Sequence, residues 1–368
     1  MHLLKNPFCF GTPVAGDFYL DRPNLVCEIK KFVKNRISTI LIGPKEVGKS
    51  SFVFSLMQHL KKEGYVCFFV DISQITSHRD FLKELIKCIA AKTPTLEKVK
   101  CFLKDVNPKI TWEIDSDEDS TNFFINLSLL RKEEVQQGIQ DLLTSFSSFG
   151  SKVFVAFDEL QNILEINDKG WLEATITQYI KKLDNVSFFF TGSSKMVARQ
   201  AIDFPNFGPE FTVWLIDKFL TVNIQCKKEV MEYLRSVVKG SLNYVQMVCF
   251  YLVEQGKSEI STQDVQKNLK IIAKKNGYLY ETLLNTLPLV QRRCLRLVAN
   301  EKRHFFRKEF LSKFEMKGPS ALYMSIKALK EKGILHQNSG ELGNVFFKDP
   351  LLAFWINLNS KLQLTDIG

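Results

Sequence analysis

Gly43-Pro44-Lys45-Glu46-Val47-Gly48-Lys49-Ser50 is the stretch that decides the fold of this chain. It satisfies G-x-x-x-x-G-K-[ST] and lies directly between an apolar run, Ser38 to Ile42, and a helix-patterned segment that begins near Lys49. Glycines at its two ends let the backbone fold tightly and turn its N–H groups inward, toward phosphate oxygens. The positive end of the following helix dipole adds to the same attraction. Outward from this loop the first half of the chain alternates short apolar runs with amphipathic stretches. Ser38 to Ile42, Val66 to Asp71, Val153 to Asp158, Ser187 to Thr191 and Phe211 to Ile216 are predicted as buried strands. Strands separated by helices imply an α/β domain, a parallel sheet with helices on both faces.

A second stretch supports the first. Val153-Phe154-Val155-Ala156-Phe157-Asp158-Glu159 is an apolar strand ending in two carboxylates, about 110 residues after the loop. Together the two stretches form Walker A and Walker B motifs and predict ATP and Mg²⁺ as cofactors. Gly43 to Ser51 (Gly43, Pro44, Lys45, Glu46, Val47, Gly48, Lys49, Ser50 and Ser51) would cradle the phosphates. Lys49 would neutralise the β- and γ-phosphates, Ser50 and Asp158 would hold the metal, and Glu159 would orient or deprotonate the attacking water.

Further along, Lys109 to Leu129 alternates apolar and polar residues through Ile110, Trp112, Ile114, Ile125, Leu127 and Leu129, which predicts a β-hairpin inserted at about 105–130. Its acidic turn, Asp115 to Asp119, lacks the glycine and terminal glutamate of a calcium loop. From Lys218 to Asn276 only helices are expected, with Val230, Tyr233, Leu234, Val237 and Val238 at helical spacing, forming a lid. Then come helices over Glu281 to Ala299, Arg307 to Phe314 and Pro319 to Lys332, and two extended stretches about a Ser339-Gly340 turn. That order describes a winged helix. The expected organisation is an ATPase core over 1–217, a helical lid over 218–280 and a winged helix over 281–368.

Charge separates these parts. Residues 1–217 hold 26 Lys+Arg against 27 Asp+Glu, whereas 218–368 hold 24 against 13, so the basic surplus of the chain lies in its C-terminal part. Such a surplus fits nucleic acid, an acidic partner, or simply lysine-rich solvated helices. The third winged-helix helix turns Ser320, Tyr323, Ser325, Lys327 and Lys330 outward and buries Ala321, Leu322, Ile326 and Leu329. Arg303, Arg307, Lys308, Lys313 and Lys317 precede it. With no Arg, Gln or Asn on that helix, the side chains best suited to base edges are few, which leaves non-specific DNA contacts or a protein-facing role. The eight cysteines are scattered and no apolar run reaches membrane length, so a reducing cytoplasm and no membrane are expected.

The opening around Pro7, Phe8, Gly16-Asp17-Phe18 and Arg22, the loop, Asp158-Glu159-Leu160-Gln161, Gly192-Ser193-Ser194 and Asp349-Pro350-Leu351-Leu352-Ala353-Phe354-Trp355-Ile356 together resemble the archaeal-type ATPases. These form the MNS group of STAND NTPases, akin to AAA+ origin-recognition ATPases. The resemblance implies that the segment around Pro7, Phe8, Val14 and Arg22 lies against the adenine. It also implies that Ser193 or Ser194, or alternatively Thr191, senses the γ-phosphate. Two departures stand out: Phe207-Gly208-Pro209-Glu210 replaces the usual Gly-Arg pair, and Gly240-Ser241-Leu242-Asn243 has no arginine nearby. Arg199 is the remaining candidate for phosphoryl stabilisation, in cis or toward a neighbouring subunit. For function, these missing cations predict a slow ATPase used as a switch between ADP and ATP states, with self-assembly or a protein partner, and the winged helix leaves an ATP-dependent DNA-associated protein as the alternative.

Overall fold

In the computed structural model the apolar runs ending at the phosphate loop and at Asp158 form the middle of one parallel sheet. The structure describes residues 5–43, 46–92, 111–117, 120–166, 168, 170–192, 198–239, 241–300, 306–337 and 345–362. The chain divides into two units, 13–205 and a second made of 206–368 with 1–12.

The first unit holds strands β1 (Thr39–Ile42), β2 (Val66–Asp71), the hairpin β3 (Thr111–Asp117) and β4 (Ser120–Asn126), β5 (Val153–Asp158), β6 (Val186–Gly192) and β7 (Gln200–Asp203). All but the hairpin make a five-stranded parallel sheet in the order β2-β5-β6-β1-β7. Successive side chains of a strand leave by opposite faces. Val153, Val155 and Phe157 of β5, with Phe188 and Phe190 of β6, therefore meet one cluster, while Phe154, Ala156 and Phe189 meet the other. Helices α1 (Pro23–Lys34) and α2 (Lys49–Lys62) cover the second face through Val26, Ile29, Phe52, Val53, Leu56 and Leu60. Helix α3 (His78–Ala90) and the helices Lys132–Ser145 and Trp171–Lys182 cover the first. Ser77 caps α3, its Oγ accepting the Asp80 N–H at 3.2 Å.

Four of the five predicted sheet strands are present within two residues, and the fifth is not a strand. Phe211 to Ile216 lies in a helix, Pro209–Leu220, of the second unit. Its β-branched and aromatic residues suggest a strand. However, Pro209 pre-sets the first helical turn, and the buried residues Phe211, Thr212, Leu215 and Phe219 recur at helical spacing. The fifth strand is β7 instead, whose Gln200-Ala201-Ile202-Asp203 is too short and too polar to announce itself. The expected domain boundary at 217 thus falls inside a helix. The hairpin pairs Thr111 with Asn126 through Asp117 with Ser120, and it ends earlier than expected, leaving Leu129 exposed. Ile110 lies outside the described residues.

The second unit is helical, with Lys228–Val237, Leu242–Glu254 and Thr262–Lys275 where the lid is expected, and two short parallel strands, β8 (Gln225–Cys226) and β9 (Glu259–Ile260). Residues 5–11 belong to it: Asn6 Nδ2 donates to Phe250 O at 3.1 Å, and Phe8 packs against Phe219 with ring centroids 4.7 Å apart. The predicted helix over Glu281 to Ala299 is two helices, Gly277–Asn285 and Leu289–Asn300, because Pro288 cannot continue the first. Lys308–Lys313, Pro319–Glu331 and the antiparallel ribbon β10 (Leu335–Gln337) and β11 (Val345–Phe347) complete a winged helix, closed by a helix over Pro350–Leu362. Asp349 caps that last helix, accepting the Leu351 N–H at 2.9 Å and the Tyr280 hydroxyl at 2.8 Å. Ser325 is buried, its Oγ donating to Ala321 O at 2.8 Å, so it does not face outward as expected; Met324, 61% exposed, does.

Phe157 stacks within 6.4 Å of Phe81, Phe188 and Phe190 and is fully buried one residue before Asp158. Phe157→Ala is expected to cost about 3–5 kcal/mol of unfolding free energy, measured as a lower denaturant midpoint at constant slope.

Candidate nucleotide site

Because β6 lies between β5 and β1, the phosphate loop after β1 and the carboxylates ending β5 come together around the end of β6. Gly48, the N-cap of α2, has φ +94°, a left-handed conformation in which a side chain would be strained. It starts α2 so that Lys49, Ser50 and Ser51 occupy its first turn. Lys49 is buried, and its Nζ donates to Gly43 O at 3.0 Å and lies 3.7 Å from Glu159 Oε1. Ser50 Oγ donates to Asp158 Oδ2 at 2.6 Å, and Thr191 Oγ1 donates to Asp158 Oδ1. Thr191 Oγ1 also accepts the Glu159 N–H at 3.1 Å, and Gln161 Nε2 donates to Glu159 Oε2.

Burial is the main influence on Asp158 and pushes its carboxyl above the ordinary range. The Ser50 and Thr191 hydrogen bonds pull it back, while the nearby Glu159 and Asp71 charges raise it again. Asp158 thus has two further carboxylates close by, and one of them, Glu159, pairs with Lys49. These residues fit a polyphosphate with a hard divalent cation. Backbone and lysine supply positive charge for the phosphates, and a hydroxyl and a buried carboxylate, both oxygen donors, meet within hydrogen-bond distance. Among the described residues no three of His, Cys, Asp and Glu form a self-sufficient metal site. Ser50 and Asp158 would offer a hydroxyl and a carboxylate oxygen to such a cation.

The N-terminal arm of this unit runs beside the loop. Val14 N donates to Ser51 Oγ at 3.1 Å, and the Arg22 guanidinium lies 4.3 Å over the Phe204 ring and donates to Pro205 O at 2.6 Å. Phe204 in turn donates its N–H to Ile42 O at 2.6 Å, next to Gly43. Gly43, Glu46, Val47, Gly48, Lys49, Ser50, Ser51, Asp158, Glu159 and Arg22 are therefore all in the unit that carries the site. Pro44, Lys45, Ser193 and Ser194 lie outside the described residues.

Two expected site residues are elsewhere. Phe8 belongs to the second unit, where its ring is 1% exposed and occupied by Phe219, so it has no free face for an adenine. Arg199 precedes β7, and its backbone N–H donates to Ser38 Oγ at 3.1 Å. Gln200 pairs with Thr39 at the start of β1, so Arg199 sits at the opposite end of the sheet from the loop, about 13 Å away by strand rise. A role in cis for Arg199 is excluded by that placement. Gln161 was legible in sequence only as part of a motif; its contact with Glu159 needed the fold.

Residues 278–358 match the family model of a probable winged helix domain. No curated protein matches the chain by sequence. Among solved structures the chain is similar to a Walker-type ATPase of Pyrococcus abyssi, with 17% identity over 93% of this chain and 97% of that one and a TM-score of 0.60. It is also similar to the Orc1 protein of Aeropyrum pernix, solved in complex with DNA (11% identity, 94% of each chain, TM-score 0.49). Cdc6p from Pyrobaculum aerophilum is a third, at 13% identity over 93% and 94% with a TM-score of 0.44. The chain has a P-loop ATPase fold followed by a winged helix. Within that P-loop fold, Lys49 and Ser50 open α2, and Asp158 and Glu159 stand at the end of β5.

The raised Asp158 carboxyl has a consequence for stability without ligand. A carboxyl whose folded value is raised stabilises the fold below its unfolded value and loses that contribution as pH rises through the folded one. In chelator at pH 7.5, Asp158→Asn should melt above the parent, and the difference should shrink toward pH 4. Thermal melts at both pH values check this.

Proposed function

We propose that this chain binds ATP with Mg²⁺ and hydrolyses it slowly, as a nucleotide-dependent switch of the STAND and AAA+ type. The observation that carries the reading is the meeting of Ser50 Oγ with Asp158 Oδ2 at 2.6 Å, beside Lys49 and Glu159 at 3.7 Å, at the end of β1 and β5. In this reading the backbone from Gly43 to Ser51 and the Lys49 ammonium bind the phosphates. Ser50 and Asp158 hold Mg²⁺, which when bound neutralises charge on the phosphate oxygens. Glu159 orients the attacking water and accepts its proton. Thr191 takes the sensing position at the end of β6, supported by its bonds to both acids. Arg22, Val14 and Ser51 flank the base.

Slow turnover follows from the arginines. Arg199 is at the far end of the sheet, Arg22 is engaged with Phe204 and Pro205, and Arg235 of the second unit donates to Thr212 Oγ1 and Phe207 O at 2.7 Å. An arginine at the transferring phosphoryl contributes about 10³–10⁵ in rate, so with these three engaged or distant a long-lived ATP state is expected. The STAND reading is supported by Asp158-Glu159-Leu160-Gln161 and Asp349-Pro350-Leu351-Leu352. Free thiols at the seven described cysteines, with burial pushing Cys88 and Cys294 up to about 12, agree with a reducing cytoplasm. No described helix is long and apolar enough to cross a membrane.

For the winged helix the proposed partner is a protein or a second copy of the chain. The outward face of Pro319–Glu331 centres on Tyr323, 54% exposed, and Met324, beside a hollow of about 420 Å³ lined by Phe306, Pro319 and Ser320. Apolar exposure of that kind suits protein better than base edges. The second reading, non-specific duplex binding, is favoured by Lys327 and Lys330, exposed on the same helix.

Lys49→Ala should abolish the rise in melting temperature that ATP and Mg²⁺ give the parent, and Glu159→Gln should keep that rise while losing phosphate release. Parent turnover should fall well below about 10 s⁻¹, the median for enzymes. Gel shifts against salt decide the partner: duplex affinity that falls steeply with salt supports the DNA reading. Affinity at background in low salt, with sedimentation that changes on ATP addition, supports the protein reading.

A further inference from the structure

Glu159 stands between two donors. Its Oε1 is 3.7 Å from Lys49 Nζ, inside ion-pair range but beyond hydrogen-bond distance, while its Oε2 accepts the Gln161 amide N–H. Its backbone is fastened on both sides. The residue has φ +63°, its N–H is held by Thr191 Oγ1, and the next N–H, of Leu160, donates to Thr191 O at 2.8 Å. Only the side chain is left to swing. Lys49 and Glu159 side chains are 3% and 15% exposed, so a direct bond between them would be poorly screened and would have to break before phosphate reached the ammonium.

The place of Gln161 suits it to prevent that bond. A carboxylate only accepts, so the amide must present its NH₂ to Glu159 and its carbonyl elsewhere. That carbonyl lies over Gly192, where an added Cβ would stand 2.9 Å from Gln161 Oε1. Gly192 ends β6 opposite Ile42, and its carbonyl accepts the Gly43 N–H at 3.1 Å. Gln161 is the N-cap of the short helix Asn162–Glu165 and makes no side-chain cap bond, while Asn162 donates to Ile72 O and Ser73 O.

We propose that Gln161 is a positioning residue that sets phosphate affinity: it holds Glu159 back from hydrogen-bond distance of Lys49, so that the carboxylate competes less with the anion, and Gly192 leaves the room in which its amide lies. This rests on the nucleotide reading of the site. Without the amide, Glu159 closes on Lys49 and competes with the phosphates. With Glu159 replaced by glutamine, there is no competing charge and Gln161 no longer matters to affinity.

The test is ADP binding with Mg²⁺, measured by calorimetry on the full chain, so that hydrolysis plays no part. Gln161→Ala and the near-isosteric Gln161→Glu, which cannot donate to Glu159 and repels it, should each weaken ADP by about tenfold, the scale of one hydrogen bond to a charged group. Gly192→Ala should do the same by displacing the amide, a flexible side-chain end that can yield without unfolding the strand. Glu159→Gln should bind at least as tightly as the parent, and adding Gln161→Ala to it should change nothing, a non-additivity that a merely structural residue does not give. Unchanged affinity in Gln161→Ala and Gln161→Glu, or an equal loss in the Glu159→Gln background, overturns the proposal while the parent's binding keeps the site reading intact. A parent that does not bind ADP overturns both.

Discussion

The site depends on one buried carboxylate. Asp158 ends an entirely apolar strand and is 6% exposed, so it has given up most of its hydration. Hydroxyls from Ser50 and Thr191 replace part of that hydration and, in doing so, tie α2, β5 and β6 together at one point. Partial replacement is the state the residues describe. Glu159 and Asp71 add negative charge close by, and among the described residues Lys49 answers Glu159 at 3.7 Å. A hard divalent cation would suit so acidic a group of oxygens.

What could be read in advance depends on how local each signal is. The loop motif and the apolar strands are contiguous, so four strands and the positions of Lys49, Ser50, Asp158 and Glu159 were visible in the sequence. Gln200 to Asp203 was not, because an edge strand half open to solvent carries no apolar run. Phe211 to Ile216 misled because its composition favours a strand while Pro209 and the spacing of its buried residues favour a helix; packing in the second unit settles the contest. Arg199 looked close to the site in sequence, coming a few residues after β6. Yet a parallel strand starts at the opposite edge from the one where its predecessor ended, and Arg199 stands at that start.

The second unit shows the same limit on a smaller scale. Asp349-Pro350 is legible as a helix start, and it serves as one, but the Tyr280 hydroxyl that shares Asp349 comes from 69 residues earlier. On the outward helix, Ser325 was assigned to solvent by its polarity, although a serine can satisfy its hydroxyl within its own helix, as it does on Ala321 O. Met324 was passed over for the opposite reason. Its exposure beside Tyr323 makes the face apolar at its centre, which the lysine count of this half of the chain does not disclose.

Glu159 carries a left-handed backbone without being glycine, at a cost of order 1–3 kcal/mol. Two N–H groups in succession, those of Glu159 and Leu160, are fastened to the side chain and carbonyl of Thr191, and the strain persists because both bonds hold it. The direction in which the carboxylate leaves the backbone is therefore set by β6 rather than by β5, the strand it follows. Thr191 touches both acids, and the next residue, Gly192, leaves room for the Gln161 carbonyl and accepts the Gly43 N–H at its own. The end of β6 is thus the common support of the loop after β1, of Asp158 and of Glu159.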